Sequence, residues 1–130
     1  MPAAGQVIAN KYRLERQLGS GGMGTVWVAT HLELDAAVAL KFQHVSGGQR
    51  SDERFRREAR AAARLRSPRV AHVYDYGIDD GLPFIAMELL VGESLRERLQ
   101  REGRLAPAAV SDVVEQGAEG LDFAHRAGII

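Results

Sequence analysis

The sequence predicts an α+β fold: a five-stranded antiparallel sheet with one helix, followed by two further helices. Three observations predict it. Residues 12–18, 25–31 and 37–44 read as short strands separated by glycine-rich or turn segments, the second of them rich in β-branched and aromatic residues. Two more such runs, at about 70–76 and 83–90, flank Asp79-Asp80-Gly81, a strong hairpin signal. In the last third of the chain the apolar residues change to helical spacing.

Each element has a local reason. Residues 12–18 are extended and lead into the stretch LGSGGMGTV at 18–26, with glycines at Gly19, Gly21, Gly22 and Gly24. Thr25-Val26-Trp27-Val28-Ala29-Thr30 then reads as a strand, so the glycine-rich stretch joins two antiparallel strands. A turn at 31–36 leads to the third strand, and Gly47-Gly48 closes this block. Residues 51–66 read as a helix stopped by Ser67-Pro68. Ser94-Leu95-Arg96-Glu97 is a capping box that starts a short helix ending near Gly103. Pro107 opens the last helix, in which Val110, Val113, Val114, Ala118, Leu121 and Ala124 recur at helical spacing until Gly128.

Composition removes several classes of function. The chain has 130 residues, 45% of them hydrophobic, enough for a core in one domain or part of a larger one. Formal net charge is zero, which gives no global electrostatic case for nucleic acid or an anionic membrane. The absence of cysteine excludes disulfides, thiolate metal sites and a cysteine nucleophile. His31, His44, His72 and His125 lack metal-ligand spacing, so no metal site is expected from them. The N-terminal residues carry no apolar signal core, and no run approaches about 18 consecutive apolar residues, so a cytoplasmic location is expected.

The glycine-rich stretch matches G-x-G-x-x-G, a pattern shared by several nucleotide loops. A Rossmann dinucleotide site needs a helix directly after the last glycine, whereas a strand follows here. A Walker A loop needs lysine after that glycine, and position 25 is Thr. On the third strand, alternation puts Ala39 and Lys41 on one face, where a small residue leaves room for a flat base and a lysine extends toward phosphate oxygens. A helical wheel of 51–66 places Phe55, Ala59, Ala62 and Leu65 together and Arg56, Arg57, Arg60 and Arg64 opposite them. The arginines read as a solvated face rather than a nucleic-acid site. Glu58 falls within the apolar stripe. Either it pairs with a cation there, or it sits at the stripe's edge and reaches water.

Glycine loop, strand lysine and helix glutamate occur in an order that resembles the protein kinase superfamily, and most closely the bacterial serine/threonine kinases of eukaryotic type. Leu18-Gly19-Ser20-Gly21-Gly22-Met23-Gly24-Thr25-Val26 resembles their glycine-rich loop, Val38-Ala39-Leu40-Lys41 their V-A-I-K strand, and Glu58 in Phe55-Arg56-Arg57-Glu58-Ala59 their ion-pair glutamate. Met87-Glu88-Leu89-Leu90 is similar to the gatekeeper and hinge, and residues 124–130 to the segment before the catalytic loop. The resemblance runs from about residue 12 to 130 and implies a tail at 1–11, a kinase N-lobe at 12–90 and the start of a C-lobe at 91–130.

What the resemblance implies can be set out by residue. Lys41 would hold the α- and β-phosphates of ATP, oriented by Glu58, while backbone N–H groups from Gly19 through Ser20, Gly21, Gly22 and Met23 to Gly24 cover the triphosphate. Leu18, Val26 and Ala39 would clasp the adenine, Met87 would bound the back of the pocket, and the backbone at Glu88 and Leu90 would pair with the base edge. The Glu88 side chain would take no part. Val91 stands where many relatives carry an acid near the ribose, and Glu93 is a possible substitute. Trp27, beside the loop, would report ATP binding through its fluorescence, although Trp27 and Phe55 otherwise read as packing residues. The family's H-R-D and D-F-G motifs do not occur in the sequence. His125-Arg126-Ala127 is not the first of these, because it ends the last helix. The Mg²⁺ ligands are therefore expected beyond Ile130.

The expectation is the ATP-binding portion of a serine/threonine protein kinase, with protein substrates for the full-length enzyme and no transfer by these 130 residues alone. A pseudokinase or kinase-like interaction module without transfer is the alternative, and a dinucleotide binder is a third reading. The apolar stripe of the last helix suggests self-association.

Overall fold

Ala9 and Asn10 both take left-handed backbone conformations, with φ of 50° and 57°. The turn they make starts the sheet earlier than the sequence predicts. The structure, a computed structural model, describes residues 2–22, 24–44 and 49–130. Val7–Ile8 forms β1 and pairs antiparallel with β2, Tyr12–Gly21, placing Val7 opposite Arg13 and Ile8 opposite Tyr12. The sheet among the described residues therefore has six strands, one more than expected. Two residues are too few to show a period of two, and alanine in a left-handed turn gives no sequence signal.

The other elements follow in the expected order. They are β3 (Gly24–His31), β4 (Ala36–Gln43), α1 (Gln49–Ala63), β5 (Val73–Asp79), β6 (Leu82–Met87), α2 (Leu95–Glu102) and α3 (Pro107–Arg126). The strand order is β1-β2-β3-β4-β6-β5, antiparallel throughout. Strand β5 runs later than the expected 70–76 and β6 stops earlier than the expected 83–90, because the two strands close on a tight turn: Asp80 and Gly81 alone make it, with φ of 48° and 75°. Helix α1 ends before the expected 66. Gly47-Gly48 lies outside the described residues.

The chain forms two compact units, Met1–Arg64 with His72–Leu89, and Leu65–Ala71 with Leu90–Ile130. In the first, alternation along the strands sends Trp27, Ala29, Leu40 and Phe42 into one core with Tyr12, Leu14, Phe84 and Ala86. The Tyr12 and Phe84 rings meet edge to face at 5.9 Å, and Phe42 lies 6.3 Å from Phe84. The sheet is curled, so that its first strands reach its last. The Tyr12 hydroxyl donates to Asp75 at 3.0 Å, Lys11 Nζ lies 3.6 Å from the same carboxylate, and Ala9 N–H donates to Asp79 at 2.9 Å. Helix α1 packs on β5 through buried Phe55, whose ring lies 5.6 Å from that of Tyr76.

In the second unit the capping box is formed as the sequence predicts. Ser94 Oγ accepts from Glu97 N–H, and the Glu97 carboxylate accepts from Ser94 N–H, each at 3.1 Å. Pro107 stands at the first turn of α3, where its missing N–H costs nothing. Gly120 is the buried residue of α3; a methyl there would come within 3.2 Å of the Arg69 carbonyl oxygen. Arg69 clasps the same helix, donating to Glu119 at 2.9 Å and Gln116 at 3.2 Å. Val114 and Leu121 of the predicted stripe remain 63% and 60% exposed. Among the described residues no helix is long and apolar enough to cross a membrane.

Burial, and then the hydrogen bond to Asp75, push the Tyr12 hydroxyl pKa upward. The unfolded chain therefore releases this proton first, so the contribution is complete below about pH 10 and is lost as pH rises toward the folded-state value. Tyr12→Phe keeps the ring packing and removes the hydroxyl. It should cost about 1–2 kcal/mol at neutral pH and flatten the alkaline loss of stability. Urea midpoints at neutral and alkaline pH check this, and an identical alkaline slope in both proteins would contradict it.

Candidate functional site

Strand register collects the predicted residues. Gly19 of β2 faces Val26 of β3, Val26 faces Lys41 of β4, Lys41 faces Ile85 of β6, and Ile85 faces Tyr76 of β5. Directly opposed residues share a face, so these five form one row across the sheet. Two residues along β3, β4 and β6, and three along β2 and β5 where the register shifts, Arg16, Val28, Ala39, Met87 and Val73 form a second row on that face. Gly19, Val26, Ala39, Lys41 and Met87 therefore stand together, although they come from four strands.

This face is opposite the core. Trp27, between Val26 and Val28, points the other way and is only 7% exposed. It is a packing residue, and the whole sheet separates it from Lys41. Any response of its fluorescence to a ligand on the Lys41 face would be indirect.

The glycines of the hairpin differ in their reasons. Gly24 has φ of +145°, and a Cβ there would lie 1.8 Å from the Phe42 carbonyl oxygen. No other residue fits that approach to β4. At Gly19, Gly21 and Gly22 a Cβ would meet nothing within 4 Å, so internal packing does not demand glycine. A side chain at Gly19 would project on the face it shares with Val26 and Lys41. The bare backbone leaves that face open, which fits a ligand lying close to the hairpin. Leu18 is 46% exposed, Ser20 is exposed, and Met23 lies outside the described residues.

Glu58 is placed differently from the paired reading. Its carboxylate accepts from Arg54 Nε at 3.0 Å, with the two side chains 62% and 76% exposed. Among the described residues Lys41, which is half-buried, makes no ion pair with it. The buried stripe of α1 is narrower than the wheel suggests: Phe55 and Ala59 are buried, Ala62 is only partly so, and Glu58 sits at the edge in water. An exposed pair with a neighbour one turn away avoids desolvating a carboxylate.

Glu88 does more than the sequence suggests. Its side chain accepts from His72 N–H at 3.1 Å, while its own N–H donates to the His72 carbonyl at 2.7 Å. The carboxylate thus prolongs the β5–β6 ladder beyond Val73 and Met87, just where residues 88–90 leave the sheet. No local pattern signals this, since it follows from the register of two strands. In the second unit Leu90 is 68% and Val91 98% exposed. Glu93, the possible ribose acid, is engaged by Arg101, whose Nε donates at 3.2 Å and whose Nη2 makes a second contact. Those hydrogen bonds hold the Glu93 carboxyl below the usual carboxylate range. Among the described residues no His, Asp and Glu side chains gather in a metal-binding group.

An antiparallel sheet whose glycine-rich hairpin, strand lysine and hinge-side methionine share one face, with a helix packed beside it, is the architecture of a kinase N-lobe. Residues 12–130 match the protein kinase domain, and the chain belongs to that family. It is 44% identical over 129 residues to the serine/threonine-protein kinase pkn3 of Myxococcus xanthus, covering 97% of this chain and 24% of the relative. It is 38% identical over 136 residues to the serine/threonine-protein kinase PknA of Mycobacterium tuberculosis, covering 99% of this chain and 32% of that protein. The crystal structure of the M. tuberculosis PknI kinase domain superposes with a TM-score of 0.86 at 31% identity, covering 98% of this chain and 52% of that domain. The chain thus spans about half of the solved kinase domain and a third or less of these curated relatives.

Gly24→Ala should destabilise the first unit by more than about 3 kcal/mol, because both the backbone conformation and the Phe42 carbonyl oppose a methyl. Gly21→Ala, with open space beside it, should stay within about 1 kcal/mol of the parent. Urea denaturation of the two variants makes the comparison, and equal losses would contradict the close approach.

Proposed function

We propose that the chain is the ATP-binding portion of a bacterial serine/threonine protein kinase whose full-length form phosphorylates protein serine and threonine side chains. The observation that carries this reading is the pair of adjacent rows that bring Gly19, Val26, Ala39, Lys41 and Met87 to one face of the sheet, opposite the core. Lys41 would bind phosphate oxygens, and the backbone N–H groups from Gly19 to Gly24 would cover them. Leu18, Val26 and Ala39 would hold the adenine, with Met87 behind it and the backbone of Glu88 and Leu90 at its edge. ATP supplies the phosphoryl group, with Mg²⁺ held by residues outside this sequence. For Glu58 to orient Lys41 it must exchange its Arg54 partner, so α1 would turn that edge toward the sheet.

Calorimetric titration of ATP into the parent chain and Lys41→Met tests the site. Loss of a charge-assisted phosphate contact should weaken binding about tenfold or more; equal affinities would remove Lys41 from it. With labelled ATP, Mg²⁺ and a basic protein acceptor, the 130 residues alone should transfer nothing, because the acceptor-positioning and metal-holding carboxylates of the family have no counterpart in their motifs. Transfer that vanished in Lys41→Met would overturn this.

A kinase-like interaction module without transfer is the second reading, favoured by the exposed Val110, Val114, Leu121 and Phe123 of α3. Val110, Val114 and Leu121 share one side of α3, with Phe123 on the other, and exposed apolar residues of this kind favour self-association, so light scattering should show mass rising with concentration. A monomer at every concentration would argue against it.

A further inference from the structure

The β5–β6 ladder ends on an incomplete rung. Val73 faces Met87, so the next opposed residues are His72 and Glu88. In an antiparallel ladder two residues joined in this way exchange a pair of hydrogen bonds, each N–H donating to the other's carbonyl. Here one of the two is replaced. Glu88 N–H donates to the His72 carbonyl at 2.7 Å, whereas His72 N–H donates at 3.1 Å to the Glu88 carboxylate. The side chain stands in for its own main-chain carbonyl. Among the described residues no main-chain N–H donates to that carbonyl, and β6 ends one residue earlier, at Met87.

A carbonyl kept out of the ladder can be offered to a ligand. Had it taken the His72 N–H, that bond would aim it at β5 and hold its peptide there. A carbonyl accepts and never donates, so the released group selects a base edge that presents an N–H. Adenine carries an amino group on its six-membered ring, where guanine carries an oxygen that would set acceptor against acceptor. We infer, on the ATP reading above, that Glu88 is a positioning residue: its carboxylate takes the His72 N–H so that its main-chain carbonyl stays available to the adenine amino group. The side chain to which the sequence assigns no part thereby controls which base is held. Truncating it would let His72 N–H recapture the carbonyl and carry the ladder one rung further.

The probes are ATP, purine riboside triphosphate, which lacks only the amino group, and inorganic triphosphate, each titrated by calorimetry into the full chain. The parent should bind ATP about three- to tenfold more tightly than the purine analogue, the range of one hydrogen bond. In Glu88→Ala that preference should vanish, with inorganic triphosphate bound as in the parent. Glu88→Gln keeps an oxygen acceptor and should restore the preference, a rescue that a merely structural role would not give. Glu88→Met, of similar length but without an oxygen, takes the place of Glu88→Ala if the latter does not fold. An unchanged preference in the alanine or methionine variant, or its loss in Glu88→Gln, overturns the role of the carboxylate alone. A parent that binds ATP no better than the analogue overturns the placing of the base at Glu88, and this role with it.

Discussion

The unbroken antiparallel register between β3 and β4, from Gly24 opposite Gln43 to His31 opposite Ala36, constrains the rest of the first unit. Because side chains alternate with a period of two, a slip of one residue would turn Lys41 and Ala39 into the core and bring Leu40 and Phe42 to the open face. Burial makes that slip costly: Leu40 and Phe42 are 0% and 2% exposed, and each such side chain contributes about 1.5–3 kcal/mol by leaving water. The core thus fixes which residues share the Lys41 face of the sheet.

Gly24 ties the glycine-rich hairpin to this register. It is the first paired residue of β3, and its backbone lies so close to the Phe42 carbonyl that β4 leaves no room for a side chain. The irregularities in β2, between Leu14 and Arg16 and between Gln17 and Gly19, fall on the other strand of the hairpin. Bulges of this kind raise local twist and bend a strand. Here they accompany a curl that carries Tyr12 round to Asp75 and Ala9 to Asp79. The hairpin is therefore held firmly along β4 and bent along β2, which leaves the row from Gly19 to Lys41 open.

What was legible in the sequence was chemistry completed within a few residues. The Ser94–Glu97 box, the Asp80-Gly81 turn, Pro107 at a helix start and the strand after Gly24 each carry their cause beside them. The alternation in Val38-Ala39-Leu40-Lys41 likewise gave the face of each residue. What was not legible depends on partners far along the chain. Strand β1 exists only because β2 offers an edge, and the Glu88 carboxylate finds His72 only through the β5–β6 register. Glu58 shows the limit of a helical wheel: periodicity put it in the stripe, but the width of the stripe is set by what α1 packs against. Phe55 on Tyr76 and buried Ala59 define that contact, and Glu58 lies outside it.

The two halves of the candidate site differ in how firmly they are held. Lys41 is placed by hydrogen-bonded strands on both sides and by the core beneath them, so its backbone has no alternative position that preserves burial. Glu58 rides on a helix anchored through Phe55 and Ala59, and its present partner is an exposed arginine one turn away. An exposed pair of that kind contributes only about 0.3–0.5 kcal/mol. Leaving Arg54 would therefore cost little, and in the proposed pairing with Lys41 the larger cost would be removing a carboxylate from water onto a half-buried face. Lys41 is thus held within the sheet, whereas Glu58 is held only through the packing of α1 on β5, where Phe55 meets Tyr76.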